Sequence, residues 1–313
     1  MSFKKYKQIE CLLKKTISQI GIEGSIPRLA AHPLNSYESF KGYIETIQSE
    51  HEERERHERS LLTNTGAFPV EGFCYVCKKQ VDFHADYSFS YERRDGISIP
   101  NWRESLRCPS CLLNNRMRAS LHLFEQLLQP DKSSRIYITE QTTFFYKRLV
   151  GNYPNTIGSE YLGDHIPLGA TDETGIRNED VTHLSFPDAV FDFVLSFDVF
   201  EHISDVNTAF KECCRIIKKN GSLFFTVPFN FCSDKTVIRA VRNGNGQIEH
   251  LLPPEYHADP LNPEGCLVFR SFGWEMVNEL RREGFADVNA HLYWAKEFGY
   301  LGREQAVFIA TKR

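Results

Sequence analysis

The stretch that decides the fold covers residues 191–228 and reads FDFVLSFDVFEHISDVNTAFKECCRIIKKNGSLFFTVP. Its two apolar runs, Phe191–Phe197 and Ser222–Val227, are typical of strands. The apolar spacing between them predicts a helix over Val206–Lys218, which Asn220-Gly221 would end as a C-cap. A strand, a helix and a second strand in this order indicate a parallel sheet with helices on its faces.

The same alternation continues on both sides of this stretch. Upstream, the pattern predicts a strand, a helix and a strand at residues 135–139, 143–150 and 156–160. Downstream, it predicts a helix and an antiparallel pair of strands at residues 272–283, 286–292 and 305–312. We therefore expect an α/β protein with a doubly wound, Rossmann-like, mostly parallel sheet and a terminal antiparallel hairpin. On pattern alone, a generic doubly wound nucleotide-binding fold fits equally well.

Changes in composition divide the chain into three sections. Residues 1–65 are rich in Lys and Glu and predict a helical N-terminal segment, with Glu–Arg pairs at i,i+4 spacing along residues 50–59. Residues 66–130 carry four of the nine cysteines and end in a helix-like stretch. They predict a metal-binding module with a linker helix. The sheet domain is expected to occupy residues 131–313.

The four cysteines form two matched pairs, Cys74-x-x-Cys77 and Cys108-x-x-Cys111. Two such knuckles can bring four thiolates around one tetrahedral Zn²⁺ ion. Because sulfur fills every coordination position, we expect the zinc to be structural and the module to be zinc-ribbon-like. The other cysteines are expected to pack as small hydrophobic residues; they are Cys11, Cys213, Cys214, Cys232 and Cys266.

The charge distribution bears on possible partners. Thirty-seven Lys and Arg against 41 Asp and Glu give a net charge of −4, the wrong sign for gripping an extended nucleic-acid backbone. Four arginines nevertheless lie around the second knuckle: Arg103, Arg107, Arg116 and Arg118. They either pair with Glu104 and other acids or form a local surface for an anionic substrate.

Hydropathy gives an expectation about location. No stretch approaches the roughly 18 uninterrupted apolar residues of a membrane span. Charged residues at Glu10, Lys14 and Lys15 interrupt the place where a secretory signal would be apolar. We therefore expect a cytoplasmic protein that does not contact a membrane. The sequence leaves its oligomeric state open.

Several phrases follow one another between Glu179 and Asn230: EDVTHLSFPD, FDFVLSFD, EHI, CRIIKKNG and LFFTVP. In this order they resemble the S-adenosylmethionine-dependent class I methyltransferases of the small-molecule, type 11 kind. The resemblance implies that residues 131–313 form a methyltransferase domain. It also implies that an insert at residues 229–270 roofs the active site.

The resemblance further implies that S-adenosylmethionine binds at the carboxyl ends of the strands. Glu160, by position the acid that closes the second strand, would hold the ribose hydroxyls. Asp180, with Glu179 as the alternative, would bind the adenine amine. Asp198, which ends the fourth strand, would lie at the methionine end of the cofactor.

The loop after the first strand departs from the family pattern, because it reads ITEQTTFF and contains no glycine. Instead, we expect the backbone amides of Gln141, Thr142 and Thr143, which lie at a helix N-terminus, to bind the methionine carboxylate. The alternative is that this loop has lost cofactor binding.

Two histidines are candidate general bases for a hydroxyl acceptor: His202 follows the fourth strand, and His257 lies on the roof. The predicted function is methyl transfer to a small metabolite or a sugar-containing (glycan) precursor. One alternative is a ribosomal or transfer RNA methyltransferase with a zinc module, which the net charge opposes. The other is a non-catalytic, zinc-stabilised scaffold, which the missing glycines favour.

Overall fold

A seven-stranded sheet forms the centre of the protein in a computed structural model, which describes residues 27–64, 66–93, 95–259 and 261–313. The strands are β1 (Ala31–Leu34), β2 (Ala67–Cys74), β3 (Lys79–Asp86), β4 (Tyr91–Glu92), β5 (Ser98–Ile99), β6 (Ile136–Ile138), β7 (Thr156–Gly158), β8 (Phe191–Phe197), β9 (Ile217–Thr226), β10 (Val237–Ile238), β11 (Ala240–Arg242), β12 (Ile248–His250), β13 (Tyr256–His257), β14 (Cys266–Leu267), β15 (Arg270–Ser271), β16 (Phe285–Ala295) and β17 (Tyr300–Lys312). The helices are α1 (Tyr37–Thr46), α2 (Gln48–Leu61), α3 (Asn115–Leu128), α4 (Phe144–Asn152), α5 (Val206–Ile216) and α6 (Glu275–Arg282).

Four strands form the parallel part of the sheet, in the order β7, β6, β8 and β9. Strand β6, between β7 and β8, is buried along its whole length, and its Ile136 pairs with Thr156 on one side and Phe193 on the other. Strand β8 has the predicted bounds, whereas β6 and β7 are each shorter than predicted. The α/β class and the Rossmann-like sheet are confirmed.

Helices cover both faces of this sheet. Val194 and Phe225 belong to one apolar cluster, which also includes side chains of α5 and α6. Their chain neighbours Leu195 and Phe224 belong to the opposite cluster, with side chains of α3 and α4. Successive strand residues point to opposite faces, so a strand buried on both sides reads as one continuous apolar run. This explains why residues 191–197 and 222–227 are almost continuously apolar.

The remaining strands are antiparallel. β16 and β17 form the predicted terminal hairpin, and β17 pairs with β9. At the outer edge, β1 pairs with β16, with Ala31 opposite Tyr293. The sequence pattern does not predict β1, because it is only four residues long and contains Pro33. An edge strand tolerates proline, which cannot donate to a sheet ladder.

The end of α5 corrects one prediction. The helix begins at an N-cap, Asp205, whose carboxylate accepts the Thr208 N–H at 3.2 Å, but it ends at Ile216 and not at Asn220-Gly221. Asn220 instead adopts a φ of 63° within β9, where the register against β8 shifts. A Cβ on Gly221 would lie 2.5 Å from the Asp192 carbonyl oxygen. The Asn-Gly pair therefore serves a strand irregularity and not a helix cap.

The described part of the N-terminal segment contains α1 and α2. Along α2, three Glu–Arg pairs lie at i,i+4 spacing, as predicted: Glu50–Arg54 at 2.6 Å, Glu52–Arg56 at 3.8 Å and Glu55–Arg59 at 3.5 Å. The predicted helical positions before residue 27, and Cys11, lie outside the described residues.

The insert at residues 229–270 contains short two-stranded ladders that pair β10 with β15, β11 with β12 and β13 with β14. It contacts the turn after β8, where the Phe269 N–H donates to the Glu201 carbonyl oxygen at 2.8 Å. The insert therefore lies over the carboxyl end of β8. Within the described ranges, no helix is both long and apolar enough to cross a membrane.

Candidate active site

The loop after β6 is held by the carboxylate of Glu160. Its Oε1 accepts the N–H groups of Gln141 at 2.7 Å and Thr142 at 2.9 Å, together with the Thr142 hydroxyl at 2.9 Å. Its Oε2 has no hydrogen bond to any part of the chain that the structure describes. Three predicted cofactor residues therefore lie together, but the two amides expected to meet a cofactor carboxylate are bonded to Glu160.

The absence of glycine from this loop has a structural counterpart in β7. A Cβ on Gly158 would lie 2.6 Å from the Glu140 carbonyl oxygen and 2.5 Å from the Tyr146 ring. The close approach between the loop after β6 and strand β7 thus depends on Gly158 of β7 and not on a glycine in the loop. Thr143 caps α4 by accepting the Tyr146 N–H at 3.1 Å.

Glu140 is a second carboxylate in the loop. Its Oε1 accepts the Thr143 hydroxyl at 2.9 Å. Burial raises its pKa to about 7, and the nearby acids Glu160 and Asp198 act in the same direction, against Arg116. This carboxyl therefore titrates near neutral pH.

The acids predicted to follow a third strand lie in irregular structure, where isolated bridges join Glu160 to Asn178 and Asp180 to His183 but no strand forms among the described residues. Glu179 is buried and bonded to Arg177 at 2.7 Å and to the Ser185 N–H at 2.9 Å. Asp180 is half-buried, and its Oδ1 accepts the N–H and hydroxyl of Thr182. Asp180 is thus the freer of the two candidates.

Asp198 directly follows β8, has a φ of 53° and is fixed by ion pairs. The Arg103 guanidinium donates to both of its oxygens, at 2.7 and 2.8 Å, and Arg116 Nε lies 3.2 Å from Oδ2. The Thr226 hydroxyl donates to Oδ1 at 2.8 Å. Although burial opposes ionisation, the two guanidiniums hold the pKa of Asp198 well below its usual range.

Two of the four arginines around the second knuckle pair with acids, which was the first of the two alternatives. Arg103 and Arg116 share Asp198 and Glu104, and Arg116 donates to the Glu104 carboxylate at 2.9 and 3.1 Å. Arg118 is fully buried and donates to the backbone carbonyls of residues 106, 298 and 299. Of the four, Arg107 alone is exposed. These arginines do not form a continuous basic surface.

The four knuckle cysteines form one cluster, in which every sulfur lies within 4.8 Å of the others. Cys74 and Cys111 are 3.9 Å apart, and Cys77 and Cys108 are 3.8 Å apart. Sulfurs bound at about 2.3 Å to a tetrahedral ion lie about 3.8 Å from one another. The residue after each knuckle has a positive φ, 54° at Lys78 and 63° at Leu112, so both turns have the same shape.

The remaining described cysteines differ in burial. Cys213 and Cys214 are buried, as predicted, and Cys266 is half-buried. Cys232 is exposed, so the expectation of packing is wrong for that residue.

Glu201, His202 and His257 form a second cluster, between the turn after β8 and strand β13 of the insert. The two imidazole rings are perpendicular, with centroids 5.0 Å apart. The Glu201 side chain has no exposed surface, and neither oxygen has a hydrogen-bond partner among the described residues. Burial raises the pKa of Glu201, and the Glu201 carboxylate raises that of His257.

Sequence reasoning selected both histidines but not Glu201. The available signal was the Glu-His pair directly after a buried strand. That the glutamate faces inward depends on residues 257–269, which are remote in sequence.

Comparisons with known proteins agree with this geometry. Residues 161–225 match the family model described as a methyltransferase domain. No curated protein matches the chain significantly. The match identifies a methyltransferase domain, and the prediction of a methyltransferase enzyme is confirmed.

Among solved structures, the chain is similar to an S-adenosylmethionine-dependent methyltransferase from Mesorhizobium loti, at 16% identity and a TM-score of 0.36, over 62% of this chain and 98% of that one. It is also similar to a possible histamine N-methyltransferase from Thermotoga maritima, at 19% identity and a TM-score of 0.37, over 63% and 89% of the two chains.

Proposed function

We propose that the protein is a cytoplasmic S-adenosylmethionine-dependent methyltransferase whose acceptor is a small polar molecule, either a metabolite or a sugar-containing precursor. The observation that carries the proposal is the meeting of Glu160, Asp198 and the Gln141-Thr142 loop at the carboxyl ends of neighbouring parallel strands. Ligands of open α/β sheets bind at this edge. The methyltransferase-domain match at residues 161–225 supports the reaction class.

The residues at this edge suit the cofactor. Glu160 keeps Oε2 to accept from ribose hydroxyls, and Asp180 has a second oxygen for the adenine amine. The cofactor's positively charged methionine end would lie beside Asp198, whose charge Arg103 and Arg116 hold in place. When bound, the cofactor supplies an electrophilic methyl group. The chain's own task is then to hold the acceptor in line with it and to exclude water.

A hydroxyl acceptor must also lose a proton. His202 Nδ1 donates to the Leu267 carbonyl oxygen at 2.8 Å, which leaves Nε2 of a neutral ring to accept a proton. His257 lies beside it on the insert. We therefore assign proton removal to this pair.

We also propose that the four knuckle cysteines hold a structural Zn²⁺ ion. Their sulfur separations and all-thiolate donor set suit zinc, and four protein ligands leave no open coordination position. Zinc would fix the module that carries Arg103 and Arg116 against Asp198.

Calorimetry with S-adenosylmethionine and S-adenosylhomocysteine tests the proposed function. The wild type should bind both. Glu160→Ala should weaken binding by about 1.5–3 kcal/mol for each charged hydrogen bond lost. Glu160→Gln keeps an acceptor for the loop amides and separates loop disruption from loss of charge. Glu173→Gln, at an exposed carboxyl of the same domain, is the control.

Two results would contradict the proposal. If the folded wild type binds neither compound, the scaffold alternative is the better account. If affinity is unchanged in Glu160→Ala, the site assigned to the cofactor is wrong.

A further inference from the structure

The carboxylate of Glu201 lies beside two imidazoles but accepts no hydrogen bond from the described residues. Its side chain is fully buried, and within the described residues neither oxygen has a hydrogen-bond partner. A buried carboxylate left without partners is costly, so such groups are normally paired or bound to a metal ion. Glu201 therefore points to a ligand that completes its surroundings.

The nearest groups are two imidazoles at distances that suit a shared ion. His202 Nε2 lies 3.7 Å from Glu201 Oε1, and His257 Nδ1 lies 3.6 Å from the same oxygen. These distances are too long for direct hydrogen bonds. Ligand atoms bound at about 2.0–2.1 Å to a tetrahedral ion lie about 3.4 Å apart. The two distances to Glu201 are thus close to the spacing that one metal ion requires, and all three ligand atoms lie within 4.8 Å of one another.

The orientation of His202 also fits. Because its Nδ1 donates to the Leu267 carbonyl oxygen, a neutral ring presents the Nε2 lone pair toward Glu201. A metal-bound histidine usually donates its other ring N–H to a carbonyl or carboxylate in this way. Leu267 lies on β14, the strand that pairs with the His257 strand, so the same ladder positions both imidazoles.

We infer that Glu201, His202 and His257 form a binding site for a divalent metal ion of the Zn²⁺ or Mn²⁺ type. The site joins the turn after β8 to the insert at residues 229–270. Three protein ligands leave at least one coordination position open, in contrast to the four-cysteine cluster. This step rests on the proposed function: the open position would take a hydroxyl oxygen of the acceptor and lower the pKa of that hydroxyl, whose proton would pass to solvent water. With the ion bound, His202 Nε2 and His257 Nδ1 are ligands, so the ion activates the hydroxyl in place of the histidine base assigned to the ion-free pair. Ion binding itself does not depend on the cofactor.

Electron paramagnetic resonance with Mn²⁺ tests the site on the full chain. Manganese suits imidazole and carboxylate ligands, whereas thiolates favour softer ions, so the cysteine cluster should not compete. The wild type should bind about one Mn²⁺ per chain. Glu201→Gln and His257→Ala should each weaken binding at least as much as the roughly 10–100-fold that follows loss of an outer-shell partner.

Matched controls come from β12 in the same insert. Glu249→Gln and His250→Ala change exposed residues of the same types and should bind Mn²⁺ as the wild type does. Circular dichroism and urea unfolding show whether each variant is folded. If Glu201→Gln fails to fold, His257→Ala still decides, because its half-exposed ring tolerates truncation better.

Two outcomes would overturn the inference. One is a Mn²⁺ spectrum that the wild type leaves unchanged, which would mean that Glu201 and His257 form only an ion pair. The other is equal affinity in the wild type and the folded variants. Calorimetry with S-adenosylhomocysteine is carried out separately, without Mn²⁺. Binding of S-adenosylhomocysteine without Mn²⁺ binding defeats this inference alone, and the reverse result defeats the proposed function alone.

Discussion

Asp198 and Glu201 lie three positions apart in the turn after β8, yet they have opposite surroundings. Asp198 accepts hydrogen bonds from Arg103 and from the Thr226 hydroxyl, and its pKa is held low. Glu201 has no hydrogen-bond partner in the described part of the chain, and burial raises its pKa. Two acids on one short segment thus differ in charge compensation.

The difference comes from segments remote in sequence. The guanidiniums that compensate Asp198 belong to the region around the second cysteine knuckle, whereas Glu201 faces His202 of its own turn and His257 of the insert. One segment can therefore position two acids while contacts with other parts of the chain set the pKa of each acid. Changes to the cysteine module should affect Asp198, and changes to the insert should affect Glu201.

The largest expected effect is that of Cys108→Ser. The variant should contain about one zinc per chain less than the wild type and should lose more than about 3 kcal/mol of stability, because zinc binding and local folding are coupled. Metal analysis and urea unfolding measure both. Hydrogen exchange should rise in residues 67–116 and near Asp198, while the insert stays protected.

The matched control for that variant is Cys232→Ser, because Cys232 is exposed and lies outside the cluster. It should retain the zinc and the wild-type stability. A Cys108→Ser protein with full zinc content and unchanged unfolding would contradict the structural zinc site.

A smaller effect is expected from Arg116→Met. Met keeps much of the side-chain volume but leaves Asp198 and Glu104 to share Arg103 alone. Breaking a fully buried ion pair costs about 3–5 kcal/mol, and these groups are partly exposed, so we expect about 2 kcal/mol in urea unfolding. Arg107→Met removes an exposed guanidinium and should change stability by less than about 0.5 kcal/mol. Equal effects of the two substitutions would show that Asp198 does not depend on Arg116.

The parts of the fold that sequence predicted well are those with strong periodicity. The run at residues 191–197 is apolar because both faces of β8 are buried, and the terminal hairpin follows from two strands joined by a short connection. The helix end predicted at Asn220-Gly221 was wrong, because a residue with left-handed backbone conformation occurs in strand irregularities as well as in helix caps. Local sequence does not distinguish these two uses.

The candidate site was predictable to a similar extent. The cysteine spacing sufficed to predict one cluster, since each knuckle is a local turn. Glu160, Gln141 and Thr142 were each proposed for the cofactor, but the bonds of Glu160 to the two amides were not foreseen, because they depend on the packing of β7 against the loop. The environment of Glu201 could not be predicted, because His257 lies on a different element of the chain.

The smallest expected effect concerns Glu140, which is intermediate between Asp198 and Glu201. It has one hydrogen bond from Thr143, and burial raises its pKa from 4.5 to about 7. Between these two values the folded state binds more protons than the unfolded state, so ionisation of Glu140 reduces stability as pH rises through that window. The cost is absent below pH 4.5 and complete above about pH 7.

Glu140→Gln removes this ionisation while keeping an oxygen for the Thr143 hydroxyl. Relative to wild type, we expect no stabilisation near the lower end of the window and about 1–2 kcal/mol at pH 8, less than the full shift implies because the side chain is partly exposed. Urea unfolding at several pH values from 5 to 8.5 measures the difference, with Glu173→Gln as the exposed control. A difference that does not vary with pH would mean that the pKa of Glu140 is not raised, because the hydrogen bond from Thr143 and the charge of Arg116 offset its burial.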